Sequence, residues 1–193
     1  MPSNAQTDKT VTKPTPVEGA LELHRLYYLR FVFAAVWAGL FAATASQLTP
    51  VAGTLLVLYP LFDVASAVVD LRSSGTGRAR RPLYANVALS LLAAVALAVA
   101  AAQGVPDVLR VWGVWAITAG AVQVVLAVRR HRLGGQRVMI LSGGISVVAG
   151  STFIAAGAGS DPALTSLAGY AALGGLFFLI SGIRLGRAAA QAH

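Results

Sequence analysis

Apolar positions run through this chain in six long segments, with short polar stretches between them. No charge interrupts the run from Arg30 to Asp63, Arg81 to Asp107, Arg110 to Arg129, Arg137 to Asp161 or Asp161 to Arg184. A helix that crosses a hydrocarbon core needs about 20 mostly apolar residues. The pattern therefore predicts an all-α membrane protein with six transmembrane helices, at about 29–46, 51–71, 83–102, 108–128, 138–158 and 163–183. The mixed stretch 16–30 predicts a short juxtamembrane helix. Its Tyr27 and Tyr28 suit the headgroup layer, where a ring needs an apolar body and a wet hydroxyl. Residues 1–17, polar with Lys9 and Lys13, predict a disordered arm, and 188–193 a short tail, leaving 18–187 as the membrane domain. No apolar core precedes residue 26, so no signal peptide is expected.

Composition fixes the outer solvent. The chain is 56% hydrophobic and 11% charged, against roughly 25% charged in soluble domains. A soluble helical bundle lacks the polar surface it would need, so lipid must surround this one. With no cysteine, disulfides and thiolate chemistry are excluded.

A net charge of +8 raises the question of nucleic acid, but the basic residues sit at the ends of apolar segments. That is where membrane topology places them, and no nucleic-acid partner is expected. Lys9, Lys13, Arg25, Arg30, Arg72, Arg78, Arg80, Arg81, Arg129, Arg130, Arg132, Arg137, Arg184 and Arg187 fall on one side, 14 of the 15 basic residues. Arg110 alone falls on the other, near Asp107 and Asp161. Arginines that merely capped helix ends would decorate both sides equally. The positive-inside rule then predicts a cytoplasmic (inner) membrane protein with both termini cytoplasmic.

Two markers recur in register. Arg25, Arg81 and Arg137 are spaced by 56 and 56 residues, and so are Pro50, Pro106 and Pro162. The helix ends at Arg72, Arg129 and Arg184 follow at 57 and 55. Three tandem copies of one helical hairpin is the simplest account. Each copy holds two spans, so the copies would insert in the same sense, as parallel repeats.

The proline-marked hairpins, Trp-Ala-Ile-Thr-Ala-Gly-Ala-Val-Gln at 115–123 and Phe-Leu-Ile-Ser-Gly-Ile-Arg at 178–184 resemble the HdeD-like family of short-repeat integral membrane proteins. The resemblance covers about residues 26–187. It implies a six-span inner-membrane protein, in some members tied to acid stress. It implies no catalytic residues and no cofactor.

Candidate chemistry centres on Asp63, the one acid in the middle of an apolar segment. Nine residues before Arg72, it lies ~13 Å from the helix end at 1.5 Å per residue. A charge at that depth costs a few kcal/mol and should face the bundle with a partner. Pro60, three residues earlier, removes the donor for the Leu56 carbonyl. At similar depth lie Gln123, Ser90 and Ser146, with Arg30 nearer the surface, and Asn86 and Ser142 belong to the same layer. This layer is either a vestibule open to the cytoplasm or a set of interhelical hydrogen bonds.

Small residues recur at i+4 in Ser142, Ser146 and Gly150, and in Ala116 and Gly120. They predict close helix packing, and a spare stripe would serve a homo-oligomer. The arginines of 72–81 and 129–132 suit anionic lipid headgroups. His24, His131 and His193 are far apart, no metal or nucleophile spacing occurs, and the loops are too short to house a soluble site. The sequence thus points to a non-enzymatic membrane protein of the HdeD-like type, or alternatively to a small transporter or proton/ion pathway using Asp63.

Overall fold

The computed structural model describes residues 16–73 and 80–190. These form six helices: α1 Pro16–Thr44, α2 Pro50–Ser73, α3 Arg80–Gln103, α4 Val105–Arg129, α5 Gln136–Ala156 and α6 Thr165–Ala190. All six contain a stretch long and apolar enough to cross a membrane. Their surfaces say the same: Leu92, Val95 and Val148 are 68%, 67% and 66% exposed. Side chains of that size, so placed on α3 and α5, need lipid around them. The chain is a multi-pass membrane protein.

The predicted juxtamembrane helix and first span are one continuous helix, α1. No proline interrupts residues 17–44, so the helix that begins at Pro16 has no reason to stop short of the apolar run. Most of the expected N-terminal arm and the last three residues of the tail lie outside the described residues. Pro50 opens α2 and Pro106 stands in the first turn of α4, where a missing N–H costs no helical bond. Pro162 precedes α6 in the connection from α5.

The helices pack in chain order around a closed ring, with α6 returning to α1. Packing alternates between close and loose. The pairs α4–α5, α1–α6 and α2–α3 are close, whereas α1–α2 and α5–α6 touch sparsely. At α4–α5 the reason is glycine. A Cβ on Gly113 would stand 2.5 Å from the Gly150 carbonyl oxygen, and one on Gly120 would stand 2.7 Å from that of Gly143. Both helices thus use glycines seven residues apart, a repeat that keeps one seam facing the partner. Two members of the i+4 stripe lie in this seam, Gly150 against Gly113 and Ser146 against Gly120, and Gly143 joins them in place of Ser142.

At the end of the ring marked by Pro50 and Pro106, the interior is aromatic. Trp37 stacks on Phe41 at 4.5 Å between ring centroids and lies 5.5 Å from Trp112, which meets Trp115 edge-on at 5.2 Å. Tyr59 fits against Trp37, Trp112 and Trp115. The Trp37 indole donates to the Leu55 carbonyl at 2.7 Å. That carbonyl lies one position before the one Pro60 leaves without a helical donor, so the side-chain bond supports α2 just where proline weakens it.

Candidate intramembrane polar site

Asp63 of α2 is held by groups from two neighbouring helices. Its Oδ1 lies 3.0 Å from Nη1 of Arg30 on α1. Its Oδ2 accepts hydrogen bonds from the Asn86 amide and, at 2.8 Å, from the Ser90 hydroxyl, both on α3. The Trp115 indole on α4 donates to Ser90 at 3.0 Å. The chain of contacts therefore runs through α1, α2, α3 and α4. The pair is largely withdrawn from solvent, with side-chain exposures of 16% for Arg30 and 14% for Asp63. Three donors around one buried carboxylate offset the cost of removing it from water.

Arg30 is fixed from a second direction. Its guanidinium carbon lies 5.2 Å from the centre of the Phe178 ring, where the electron-rich face attracts the cation. Its Nε is buried and has no hydrogen-bond partner among the described residues.

Of the candidates read from sequence, Arg30, Ser90 and Asn86 meet at Asp63. Gln123 and Ser146 do not. The Gln123 amide donates to the Met139 carbonyl at 3.0 Å and ties α4 to α5. Ser146 accepts from the Tyr170 hydroxyl at 3.0 Å and ties α5 to α6. Equal depth did not mean contact, because residues on opposite walls of a ring share a depth without touching.

Two cavities of about 70 Å³ each flank the ion pair inside the ring. Arg30, Asp63, Ala119, Gln123 and Phe178 line both. The first runs toward the arginine-rich end and is bounded there by Asp70, Arg130, Tyr27 and Gln136; together the six helices enclose it. The second runs toward the aromatic interior and meets Tyr59, Trp115, Ser142, Ser146 and Tyr170. A water needs roughly 10–15 Å³ of such room and a few polar partners, so each cavity accommodates several waters.

A second ion pair bounds the first cavity. Nη1 and Nη2 of Arg130 donate to the two carboxylate oxygens of Asp70, both at 2.8 Å. Burial works against the Arg130 cation, but the hydrogen bonds and charge of Asp70 outweigh it and raise its pKa above the ordinary value. This fork joins α2 to the C-terminus of α4. Beside it, the Tyr27 hydroxyl donates to Gln136 Oε1 at 3.4 Å, joining α1 to α5. Sequence reasoning had placed Arg130 among the topology markers and passed over Asp70. An acid two residues from Arg72, at a helix end, carries no depth signal. The aromatic members of the site, Tyr59, Trp115 and Tyr170, were hidden in apolar runs for the same reason.

No family model matches this chain, and neither a curated protein nor a solved structure was found to be similar to it.

Proposed function

We propose that this membrane protein is non-enzymatic and provides a path for protons or small ions, with Asp63 and Arg30 as its charged station. One observation carries the reading: two small cavities with polar side chains in their walls meet at a largely withdrawn ion pair inside a ring of six helices. A tightly packed bundle needs no such space, and ionisable side chains inside spans are rare and characteristically mark ion or proton pathways. The cavities are too small for a metabolite of any size and suit protons, water and small ions. The stacked Trp37, Phe41 and Trp112 close the ring beyond them, so access would come past Asp70 and Arg130.

The test is flux in reconstituted vesicles loaded with a pH-sensitive dye. Asp63→Asn alone strands the Arg30 charge, so it is paired with Arg30→Gln to keep the site neutral. Wild-type flux that is lost in the folded double variant supports the reading. Absence of wild-type flux for protons and for small ions overturns it.

A second reading is a packing role within an HdeD-like protein serving acid or envelope stress. The resemblance and the full set of donors around Asp63 support it. Here a deletion strain's survival at low pH should be restored equally by wild type and by the double variant.

The three-hairpin repeat belongs to the same proposal. Gly120, nine before Arg129, meets Ser146, nine after Arg137; Gly175, nine before Arg184, meets Ala34, nine after Arg25. Asp63, nine before Arg72, meets Ser90, nine after Arg81. Corresponding contacts at three interfaces support a triplicated unit in which one interface has exchanged glycine for a carboxylate. Placement in the cytoplasmic membrane, with the arginine-rich end inside, rests on the 14-to-1 distribution of basic residues. Reporter fusions after residues 76, 134 and 190 should read cytoplasmic, and those near 48, 104 and 160 external.

A further inference from the structure

Where α1 and α2 part at the arginine-rich end, a groove of about 510 Å³ opens on the flank of the ring. Its wall is apolar: Leu26 at the base, with Leu29 and Val69 at 53% and 50% exposure along the sides. Arg25 and Arg72 stand in the same groove, with Ser73 beside them. Both arginines are exposed, and neither makes an ion pair or side-chain hydrogen bond among the described residues. Contrast Arg30, Arg110 and Arg130, each of which has a carboxylate. One acid, Glu22, also lines the groove, so its lining keeps a net positive charge.

We propose that this groove binds one anionic phospholipid, its phosphate held by Arg25 and Arg72 and an acyl chain lying along Leu29 and Val69. Two features select this occupant. Guanidinium groups match phosphate oxygens in a forked geometry. An exposed apolar wall running from those cations along two membrane helices suits an acyl chain attached to that phosphate. A soluble phosphate would leave the wall unused, and a neutral lipid would leave the arginines without an anion. The sparse contact between α1 and α2 leaves the room.

The experiment is native mass spectrometry of the full chain released from detergent, titrated with phosphatidylglycerol or phosphatidylcholine. The wild type should retain one phosphatidylglycerol with about tenfold preference, as two basic contacts at such a surface allow. Arg25→Gln with Arg72→Gln should bring the preference down to about twofold or less. The same two charges removed at Arg137 and Arg187, outside the groove, should leave it unchanged. Val69→Trp places a bulky ring across the apolar wall with both arginines intact and should weaken retention about as much as the double arginine change. This arm keeps the test open if the double variant folds poorly. A preference that survives the groove variants, or falls equally in the distal pair, overturns the proposal. So does a dimer mass free of lipid, which would put a second copy in the groove.

Discussion

At the α4–α5 seam, Gly120 brings two backbones so close that an added Cβ would meet the Gly143 carbonyl at 2.7 Å and the Ser146 Cβ at 2.8 Å. At the α2–α3 contact, the residue nine positions before the terminal arginine is Asp63, and it meets Ser90 through a hydrogen bond instead. Both contacts join antiparallel helices in a solvent that supplies no hydrophobic drive for association. The first relies on dispersion between surfaces with nothing in the way. The second relies on charge-assisted hydrogen bonds that hold only while every partner is present. Space is left where the two kinds of contact meet: both cavities reach Asp63, and the second also touches Gly120, Ser142 and Ser146.

The comparison breaks most severely if the carboxylate is removed without its partners. Asp63→Leu leaves Arg30, Asn86 and Ser90 facing an apolar group, with a buried cation uncompensated. Loss of one member of a buried pair costs about 3–5 kcal/mol. Thermal denaturation in detergent should show it. Removing both charges together, in Arg30→Gln with Asp63→Asn, should recover most of that loss, because the penalty comes from the stranded charge. A double variant as unstable as Asp63→Leu would mean that the polar contact works through shape and not through charge.

Next in size is the seam. Gly120→Leu must displace the α5 backbone at Gly143, and no side-chain rotation relieves a clash with a carbonyl oxygen. Overpacking of this kind costs about 3 kcal/mol. Gel filtration and thermal denaturation should report a loosened or aggregated protein. Normal behaviour would show that α4 and α5 are held from elsewhere.

How much of this was legible in the sequence depended on the coordinate in question. The number of helices could be read because bilayer thickness imposes a minimum apolar length, and that signal is spread over twenty residues at a time. Depth could be read too: Asp63 was conspicuous because charge is costly there, and Arg30, Ser90 and Asn86 shared its layer. Direction around the ring could not. Gln123 has the right depth and the right chemistry, yet it faces Met139 of α5. Of the stripe read at i+4, Ser146 and Gly150 enter the seam, but Gly143 takes the place of Ser142, because the partner helix sets which of several small faces is used. Asp70 and Arg130 escaped notice because charge at a helix end is ordinary.

A smaller effect sharpens the polar side. Trp115→Phe keeps an aromatic ring but removes the N–H that Ser90 accepts. Ser90 retains its own bond to Asp63, so the group at risk is half satisfied. A cost of about 1 kcal/mol is expected in thermal denaturation, the net worth of one hydrogen bond. A loss several times larger would mean that Trp115 matters chiefly through its contacts with Tyr59 and Trp112.

The smallest expected effect separates two adjacent glycines. Gly143 faces α4: a Cβ there would stand 2.6 Å from the Gly120 carbonyl and 2.7 Å from Val124 Cγ2. Gly144, the next residue, has nothing within 4 Å of a built Cβ. Both lie inside α5 with ordinary helical backbone, so helix propensity favours alanine at both by up to about 1 kcal/mol. At Gly144 that gain is unopposed, and Gly144→Ala should be neutral to slightly stabilising. At Gly143 the same methyl group must push a backbone away, and Gly143→Ala should be destabilising despite the identical propensity. Opposite signs from neighbouring positions would locate the seam to a single face of α5. Equal effects would mean that α5 turns a different face to α4, and that the contrast between the glycine seam and the Asp63 clasp has been drawn in the wrong place.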